Sequence, residues 1–271
     1  MNRIVFFSGG KSSFAVAHLL KTKYQQDNIV LYFTDTCFED EDLYRFIIEV
    51  SNKLELPLLI HSIGLTPLNL MDEDNFVYNS RIANCSKKLK SQVAKRFLDK
   101  GIKPKNEKWH NKQYLKDNNF TNNPILYFGI DFTELHRTIA IQKNWQPYKV
   151  EFPLIDELID YDLLFDLYEI KKPSLYQKGF THNNCGGRCI KGGQGHWLNL
   201  LIKDYGRFEQ MRDFEIYLSD KINKKNNTNI KHSFMKRKHE PYMLYELESD
   251  YKNKPEQIDL FDIGGCGCFI D

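Results

Sequence analysis

The sequence predicts an α/β protein in which a doubly wound, mostly parallel sheet is followed by a helical, cysteine-bearing C-terminal lobe. Three observations indicate this class. Short apolar runs alternate with amphipathic segments through the first half of the chain, as in parallel strands joined by helices. The first apolar run ends in a loop of glycines and serines. From about Tyr161 onward the strand signal fades, and helical patterns surround a cysteine-rich stretch.

The predicted elements follow the apolar patterns in chain order. The first strand, Ile4–Phe7, leads into a helix with Phe14, Ala17 and Leu20 on one face. Further buried strands are predicted at residues 29–33, 57–61 and 125–128. Further helices are predicted at residues 39–54, 85–98, 161–170, 194–204 and 208–218.

The domain organisation follows from where this alternation stops. The polar stretch 103–123 interrupts it and is predicted to be an insertion or a surface loop. We expect an α/β domain over residues 1–158 and a helical lobe over residues 159–271.

The composition of the 271-residue chain suits one large α/β domain or a domain with a small appendage. Hydrophobic residues make up 41%, yet the mean hydropathy is −0.54 and no long apolar run occurs, which argues against a membrane span. Arg3 directly precedes the first apolar run, which argues against a signal peptide. We therefore expect a cytoplasmic protein with no membrane partner.

The formal net charge of +2 is too small to indicate nucleic-acid binding by itself. One local stretch, residues 221–238, is rich in Lys and Asn. We interpret it as a solvated, mobile loop in preference to a nucleic-acid contact.

The loop between the first strand and the first helix carries the strongest functional signal. Several backbone N–H groups and the positive end of the helix dipole converge there, which suits a phosphate. The glycines let the backbone come close, the hydroxyls can donate, and the lysine adds a charge. The candidate phosphate-binding residues are Ser8, Gly9, Gly10, Lys11, Ser12 and Ser13.

Polar residues also follow two other predicted strands. Asp35 and Thr36 come after the second strand, and Gly129 and Asp131 come after the fourth. The carboxyl ends of parallel strands meet at one edge of the sheet, where ligands bind. Asp35 is therefore a candidate to contact ribose or adenine or to hold magnesium. The alternative is that Asp35 and Thr36 cap the helix that follows.

Five stretches resemble a known superfamily in the right order. Residues 8–13, SGGKSS, resemble the SGG-x-[DT]-S loop of the PP-loop ATP pyrophosphatases, whose sheet belongs to the HUP-like type. The other four resemble elements of the phosphoadenosine phosphosulfate reductase branch: TDTCFEDEDLYRF (34–46), NCSKKLK (84–90), GIDFTELHR (129–137) and FPL (152–154). The resemblance runs from residue 3 to roughly residue 200.

This resemblance implies that residues 1–158 bind ATP with magnesium and cleave ATP to AMP and pyrophosphate. The cleavage would adenylate an acceptor for sulfur or nitrogen transfer to a nucleic acid or a small molecule. It implies catalytic roles for Lys11, Ser12 and Arg137, with Glu134 on the helix face of Arg137. Two alternatives stay open: a thiol-dependent reductase or sulfurtransferase, and a non-catalytic nucleotide sensor or partner-binding subunit. The oligomeric state, a homodimer or a larger complex, stays open too.

Three positions depart from the reductase branch. Ser12 stands where the loop usually has Asp, Asp131 stands where Arg is usual, and Cys85 is single where reductases often have a Cys-Cys pair. The loss of an arginine near the phosphates favours plain ATP over a nucleotide with an extra 3′-phosphate. These changes argue against the reductase reaction and leave the predicted fold as it is.

Four cysteines form two close, glycine-flanked pairs, Cys185 with Cys189 and Cys266 with Cys268. In a cytoplasmic protein such pairs indicate metal binding or redox chemistry. Four thiolates would suit a tetrahedral zinc site or a [4Fe–4S] cluster. The alternatives are inert buried cysteines and a redox-active cysteine near the C-terminus. The resemblance adds Cys85 as a further candidate ligand, since its equivalent joins a later cysteine pair in cluster-bearing relatives.

Overall fold

A computed structural model describes residues 1–79, 82–262 and 264 of the chain. The strands of its main sheet are β1 (Asn2–Phe6), β2 (Asn28–Thr34), β3 (Leu58–Ser62), β4 (Asn106–His110), β5 (Ile125–Tyr127) and β6 (Lys149–Glu151). Their order is β4-β3-β2-β1-β5-β6, and all neighbours are parallel except β3 and β4. The predicted doubly wound, mostly parallel sheet is therefore confirmed.

Helices cover both faces of this sheet. The first-half helices are α1 (Lys11–Lys23), α2 (Glu41–Leu54), α3 (Pro67–Asp74), α4 (Gln92–Lys100), α5 (Thr138–Asn144) and α6 (Pro153–Asp156), and a π-helical segment, Ser86–Ser91, precedes α4. Because side chains alternate along a strand, Leu31 and Phe33 of β2 pack towards α1 and α2. Val30 and Tyr32 belong to the opposite core, which includes residues of α4 and α5. β2 is buried along its whole length, which explains its continuous apolar run.

The polar stretch 103–123 is not only a loop, as was predicted, because it contributes strand β4 at the edge of the sheet. Asn106, Glu107 and Lys108 are exposed there. An edge strand has one neighbour, so it needs no apolar alternation, and charged residues protect it from pairing with another chain. The three-residue strand β6 was also missed, since it is too short to give a periodic pattern.

The C-terminal half is mainly helical, as predicted. Its elements are α7 (Tyr161–Leu167), α8 (Ser174–Gln177), α9 (Gln194–Lys203), α10 (Tyr205–Asn226), α11 (Leu244–Asn253) and a hairpin of β7 (Met235–Arg237) and β8 (Glu240–Tyr242). Residues of α9, α10 and α11 share a separate apolar core with Phe38, Met71 and Leu89. Helix α7 packs on the sheet itself, in the core that includes α1 and α2.

The stretch 221–238 is more ordered than the mobile loop that was predicted. Helix α10 continues to Asn226, and Lys221 forms an ion pair of 2.7 Å with Asp72. Ile222 and Phe234 are buried. Met235 of β7 is buried as well, so three apolar side chains hold this polar stretch on the core, although its composition resembles that of a loop.

Across residues 1–79, 82–262 and 264, no helix has both the length and the apolar character that crossing a membrane requires.

A buried carboxyl group on α10 should make stability depend on pH. Glu215 is fully buried and accepts hydrogen bonds from the backbone N–H groups of Phe234 and Leu244. Burial raises the pKa of Glu215 from 4.5 to about 8. The folded protein therefore keeps a proton that the unfolded chain releases, so the free energy of unfolding should fall as pH rises from 4.5 towards 8.

Urea unfolding between about pH 6.5 and 8.5 measures this effect. Burial holds the pKa of His182 and His196 below 6.5, so only the unfolded chain protonates them near pH 6.5, which makes stability rise with pH there. This contribution is nearly complete by about pH 7.5, so the fall expected between pH 7.5 and 8.5 reports Glu215. Glu215→Gln should flatten the pH dependence, whereas Glu209→Gln, on the surface of the same helix, should not. Equal unfolding free energies of the wild type between about pH 7.5 and 8.5 would contradict the raised pKa.

Candidate nucleotide site

A cleft of about 420 Å³ opens at the carboxyl-terminal edge of the sheet. The loop Ser8–Ser13 supplies one wall through all its residues except Gly9, and residues 128–137, after β5, supply a second. A third wall comes from the C-terminal half, through Tyr176 and residues 181–184. The structure thus brings together most of the residues that the sequence singled out.

The loop Ser8–Ser13 is held in a narrow turn at the start of α1. Gly9 has φ +78°, a left-handed conformation that favours glycine, and Gly10 is the N-cap of the helix. The Ser13 hydroxyl donates to the Gly10 carbonyl (2.8 Å), and the backbone N–H of Lys11 donates to the Tyr176 hydroxyl (3.1 Å). The first turn of α1 therefore points its N–H groups and its dipole into the cleft.

The two remaining serine hydroxyls of the loop also have partners. Ser8 Oγ lies 3.4 Å from Ser13 Oγ, and Ser12 Oγ lies 3.3 Å from the Tyr161 hydroxyl. Tyr161 belongs to α7, so the C-terminal half positions the residue that replaces the usual loop aspartate.

Gly129 allows the two polar walls to meet. A Cβ atom at this position would lie 2.8 Å from the backbone carbon of Ser12 and from the backbone nitrogen of Ser13. Such a distance is shorter than real contacts allow, so only glycine permits the end of β5 to approach the loop this closely.

The cleft contains two cations with different surroundings. The Lys11 ammonium lies 4.8 Å from the ring centroid of Tyr161, and no carboxylate of the described residues pairs with it. Arg137 is 91% buried and is paired with Glu134. Asp131 caps the turn that carries both of these residues, because its carboxylate accepts from the N–H (2.9 Å) and the hydroxyl (2.6 Å) of Thr133. Lys11 is therefore the more available partner for a phosphate.

Asp35 and Thr36 do not line the cleft, although they follow β2 at the same edge of the sheet. The Asp35 carboxylate accepts from the backbone N–H of Cys37 and from the Tyr44 hydroxyl, both at 2.8 Å. Thr36 is buried and donates to Glu39 (2.9 Å). Asp40 caps α2, by accepting from the N–H of Asp42.

Cys185 and Cys189 are buried beside each other. A hydrogen bond with Cys189, together with burial, raises the pKa of the Cys185 thiol well above its usual value. Cys85 and Thr36 line the same small cavity. Among the described residues, no group of three or more His, Cys, Asp or Glu side chains is arranged to hold a metal ion.

The predicted ligands Cys266 and Cys268 lie outside the described residues. The backbone just before them runs along the start of α9. Gly264 forms an antiparallel bridge with Gly192, and the Gly195 N–H donates to the Asp262 carbonyl (2.9 Å). The bridge partner of Gly264 is thus a residue only three positions after Cys189 in the sequence.

His182 and Asn183 are cleft residues that the sequence reasoning missed. Asn183 is buried, and its amide Nδ2 donates to the Gly9 carbonyl (2.9 Å), which ties this segment to the phosphate loop. Its Oδ1 and the Nδ1 of His182 are buried without a hydrogen-bond partner among the described residues. Burial lowers the pKa of His182 to about 3, so the ring is neutral at pH 7. Because these residues lie just before Cys185, the sequence reasoning treated them only as part of the cysteine-rich stretch.

A protein-family match covers the part of the chain that contains the loop Ser8–Ser13. Residues 2–129 match the family model of the phosphoadenosine phosphosulfate reductase domain. No curated protein was found to be similar to the chain. The match spans β1, the phosphate loop and the strands up to Gly129, which agrees with the observed α/β sheet. Over residues 2–129 the chain is therefore similar to the phosphoadenosine phosphosulfate reductase domain, which is consistent with that branch of the PP-loop superfamily.

Proposed function

We propose that the chain binds ATP in the cleft and cleaves it to AMP and pyrophosphate, so that an acceptor is adenylated. The observation that carries this proposal is the approach of Gly129 to the phosphate loop, within reach of Lys11. This close approach places N–H donors, the positive end of a helix dipole and an ammonium group around the same cleft.

In the proposed reaction an acceptor oxygen attacks the α-phosphorus of ATP. A new O–P bond forms, the acceptor proton passes to solvent, the bond from the α-phosphorus to the bridging oxygen breaks, and pyrophosphate leaves with the electron pair. AMP is released when a sulfur or nitrogen nucleophile, or water, displaces it from the adenylated acceptor; with water as the acceptor, AMP forms directly. The loop N–H groups and Lys11 would stabilise the charge that develops on the departing pyrophosphate. Magnesium would neutralise part of that charge, and the carboxylates of the described residues that line the cleft are Asp131 and Glu134.

The carboxylate of Asp131 supports ATP as the nucleotide. Asp131 lines the cleft, whereas the reductase branch usually has Arg at this position. A carboxylate disfavours an additional 3′-phosphate by charge repulsion. On the opposite wall, Asn183 Oδ1 offers a hydrogen-bond acceptor to a hydroxyl or amino group of the bound substrates.

Incubation of the purified protein with ATP and magnesium, followed by chromatography, tests the proposal. AMP and pyrophosphate in equal amounts would support it. Release of sulfite from phosphoadenosine phosphosulfate with a thiol reductant would instead support a reductase, which the family match favours. Nucleotide binding without turnover of either compound would support a sensor or a partner-binding subunit.

Lys11→Ala should slow ATP cleavage strongly without unfolding the protein. Loss of a fixed cation at the phosphates should cost about 2–4 kcal/mol of transition-state stabilisation, or roughly 30-fold to 1,000-fold in rate. The melting temperature should change little, because Lys11 has no carboxylate partner among the described residues. Lys21→Ala, on the same helix beside Glu55, is the matched control. Wild-type turnover in Lys11→Ala would show that the reaction takes place elsewhere.

We also propose that Cys185 and Cys189 hold a zinc ion or an iron–sulfur cluster. Their paired, buried thiols supply half of a tetrahedral thiolate set. Cys266 and Cys268 are the proposed remaining ligands, and Cys85 is a further candidate from the same cavity. A bound zinc ion would fix the segment that carries Cys185 and Cys189 in place. An iron–sulfur cluster would also allow electron transfer.

A further inference from the structure

Positive charge is concentrated in one segment of the chain. Residues 87–112 contain ten Lys and Arg but only two Asp and Glu. Since the whole chain has a net charge of +2, the remainder of the chain is net acidic. The segment includes α4, the connection that follows it, and the edge strand β4.

Four exposed side chains of α4 and of the connection that follows it define what we call the basic patch: Arg96, Lys100, Lys103 and Lys105. Lys103 pairs with Glu107 at 2.8 Å. The other three have no carboxylate partner among the described residues. Cations that repel one another without local compensation form a favourable site for a polyanion.

The long helix α10 shows the contrast. Arg207 pairs with Asp40 (2.5 Å), Arg212 with Glu248 (2.6 Å) and Lys221 with Asp72 (2.7 Å). These cations of α10 are therefore neutralised by carboxylates of the same chain. In the basic patch the cations are mostly directed to solvent.

A groove of about 280 Å³ adjoins the basic patch. Arg96 and Lys103 line it, and Ile63, Val93 and Ile102 contribute apolar surface to it. Cationic groups beside an apolar floor match a nucleotide of a single strand, whose phosphates need positive charge and whose unstacked base has an apolar face. A duplex keeps its bases stacked and would not use this floor.

The groove is also close to the cleft. Ile63 directly follows β3, and β3 is parallel to β1, so both strands end at the same edge of the sheet. With neighbouring strands about 4.8 Å apart, the end of β3 lies about 10 Å from the start of the phosphate loop. A strand held by the basic patch therefore needs to extend by only a few nucleotides to enter the cleft.

We propose that the basic patch binds the sugar-phosphate backbone of single-stranded nucleic acid and directs one nucleotide towards the cleft. Binding itself does not depend on ATP cleavage. That the bound strand is also the acceptor of adenylation rests on the proposed function.

Fluorescence anisotropy with labelled single-stranded DNA and RNA of mixed sequence, over a series of salt concentrations, tests the binding. The patch variant Arg96→Glu/Lys105→Glu should bind at least ten-fold more weakly than the wild type. Its slope of log K against log salt should fall by about 1.4, because each phosphate contact contributes about 0.7 for single strands. The control Lys224→Glu/Lys225→Glu changes the charge equally at the exposed end of α10 and should bind within two-fold of the wild type.

Preference for DNA or for RNA would identify the polymer, and either supports the proposal. Wild-type affinity in the patch variant, equal losses in the two double variants, or no binding by the wild type would overturn it. Equal or tighter binding of duplexes, of polyglutamate or of anionic vesicles would overturn it as well. ATP cleavage without nucleic acid, measured in parallel, should be unchanged in the patch variant, so failure of the proposed reaction is distinguishable from failure of this inference.

Discussion

Gly129→Val should abolish nucleotide binding, with an affinity loss of more than about 100-fold. Even a Cβ atom at this position would lie 2.8 Å from the backbone of Ser12 and Ser13, and the two methyl groups of valine need still more space. Backbone atoms cannot move aside as the end of a flexible side chain can. The phosphate loop would therefore be pushed away from β5, and its N–H groups would lose their common focus.

Isothermal titration calorimetry with a non-hydrolysable ATP analogue measures this effect, and circular dichroism checks the fold. Gly129→Ala should give an intermediate loss, because it adds only the Cβ atom. Gly206→Ala is the matched control, since a Cβ at Gly206 meets nothing within 4 Å. Wild-type affinity in a folded Gly129→Val protein would exclude this cleft as the nucleotide site.

Cys189→Ser should remove bound metal and lower the melting temperature together. Thiolate ligation couples metal binding to folding, so a lost ligand lowers the stability of the folded state. A loss of about 3 kcal/mol would lower the melting temperature by roughly 6–12 °C in a chain of this size. Cys37→Ser is the control, because Cys37 is exposed, its sulfur lies 3.2 Å from Ser62 Oγ, and it does not line the cavity that Cys185 and Cys189 share.

Elemental analysis and the visible spectrum of protein purified anaerobically separate the two metal assignments. Stoichiometric zinc in a colourless protein would indicate a structural site, with zinc–sulfur distances of about 2.3 Å. Iron with broad visible absorbance would indicate a cluster. Wild-type protein that contains neither metal, and whose stability equals that of Cys189→Ser, would refute the metal proposal.

The cleft wall formed by the loop Ser8–Ser13 could be predicted from sequence, because neighbouring residues in the chain specify its conformation. The Ser8–Ser13 loop lies between a buried strand and an amphipathic helix, and those two patterns specify its geometry from neighbouring residues. The parallel sheet followed for the same reason: β2 is buried at every position, and its continuous apolar run is visible without knowledge of its partners.

The opposite wall could not be predicted, because it depends on contacts between residues far apart in the chain. Asn183 reaches the Gly9 carbonyl and Tyr176 reaches the Lys11 N–H, across more than 160 residues in each case. Neither hydrophobic periodicity nor residue spacing predicts such a long-range hydrogen bond. The same holds for the contacts of Asp35, whose carboxylate accepts from Tyr44 and Cys37 and does not line the cleft. Its role as a ligand of the nucleotide or of magnesium stays a prediction.

Sequence by itself therefore determined the α/β class and the strand-loop-helix unit at the N-terminus, and it named Lys11 and Arg137, which line the cleft, as candidate partners of a phosphate. Only the tertiary structure decided which polar residues share the cleft, that β4 completes the sheet edge, and that His182 and Asn183 face the phosphate loop. The physical reason is the range of the interactions. Hydrophobic periodicity and helix dipoles act over one element, whereas a close approach such as that of Gly129 to Ser12 and Ser13 exists only once the strands and helices have packed.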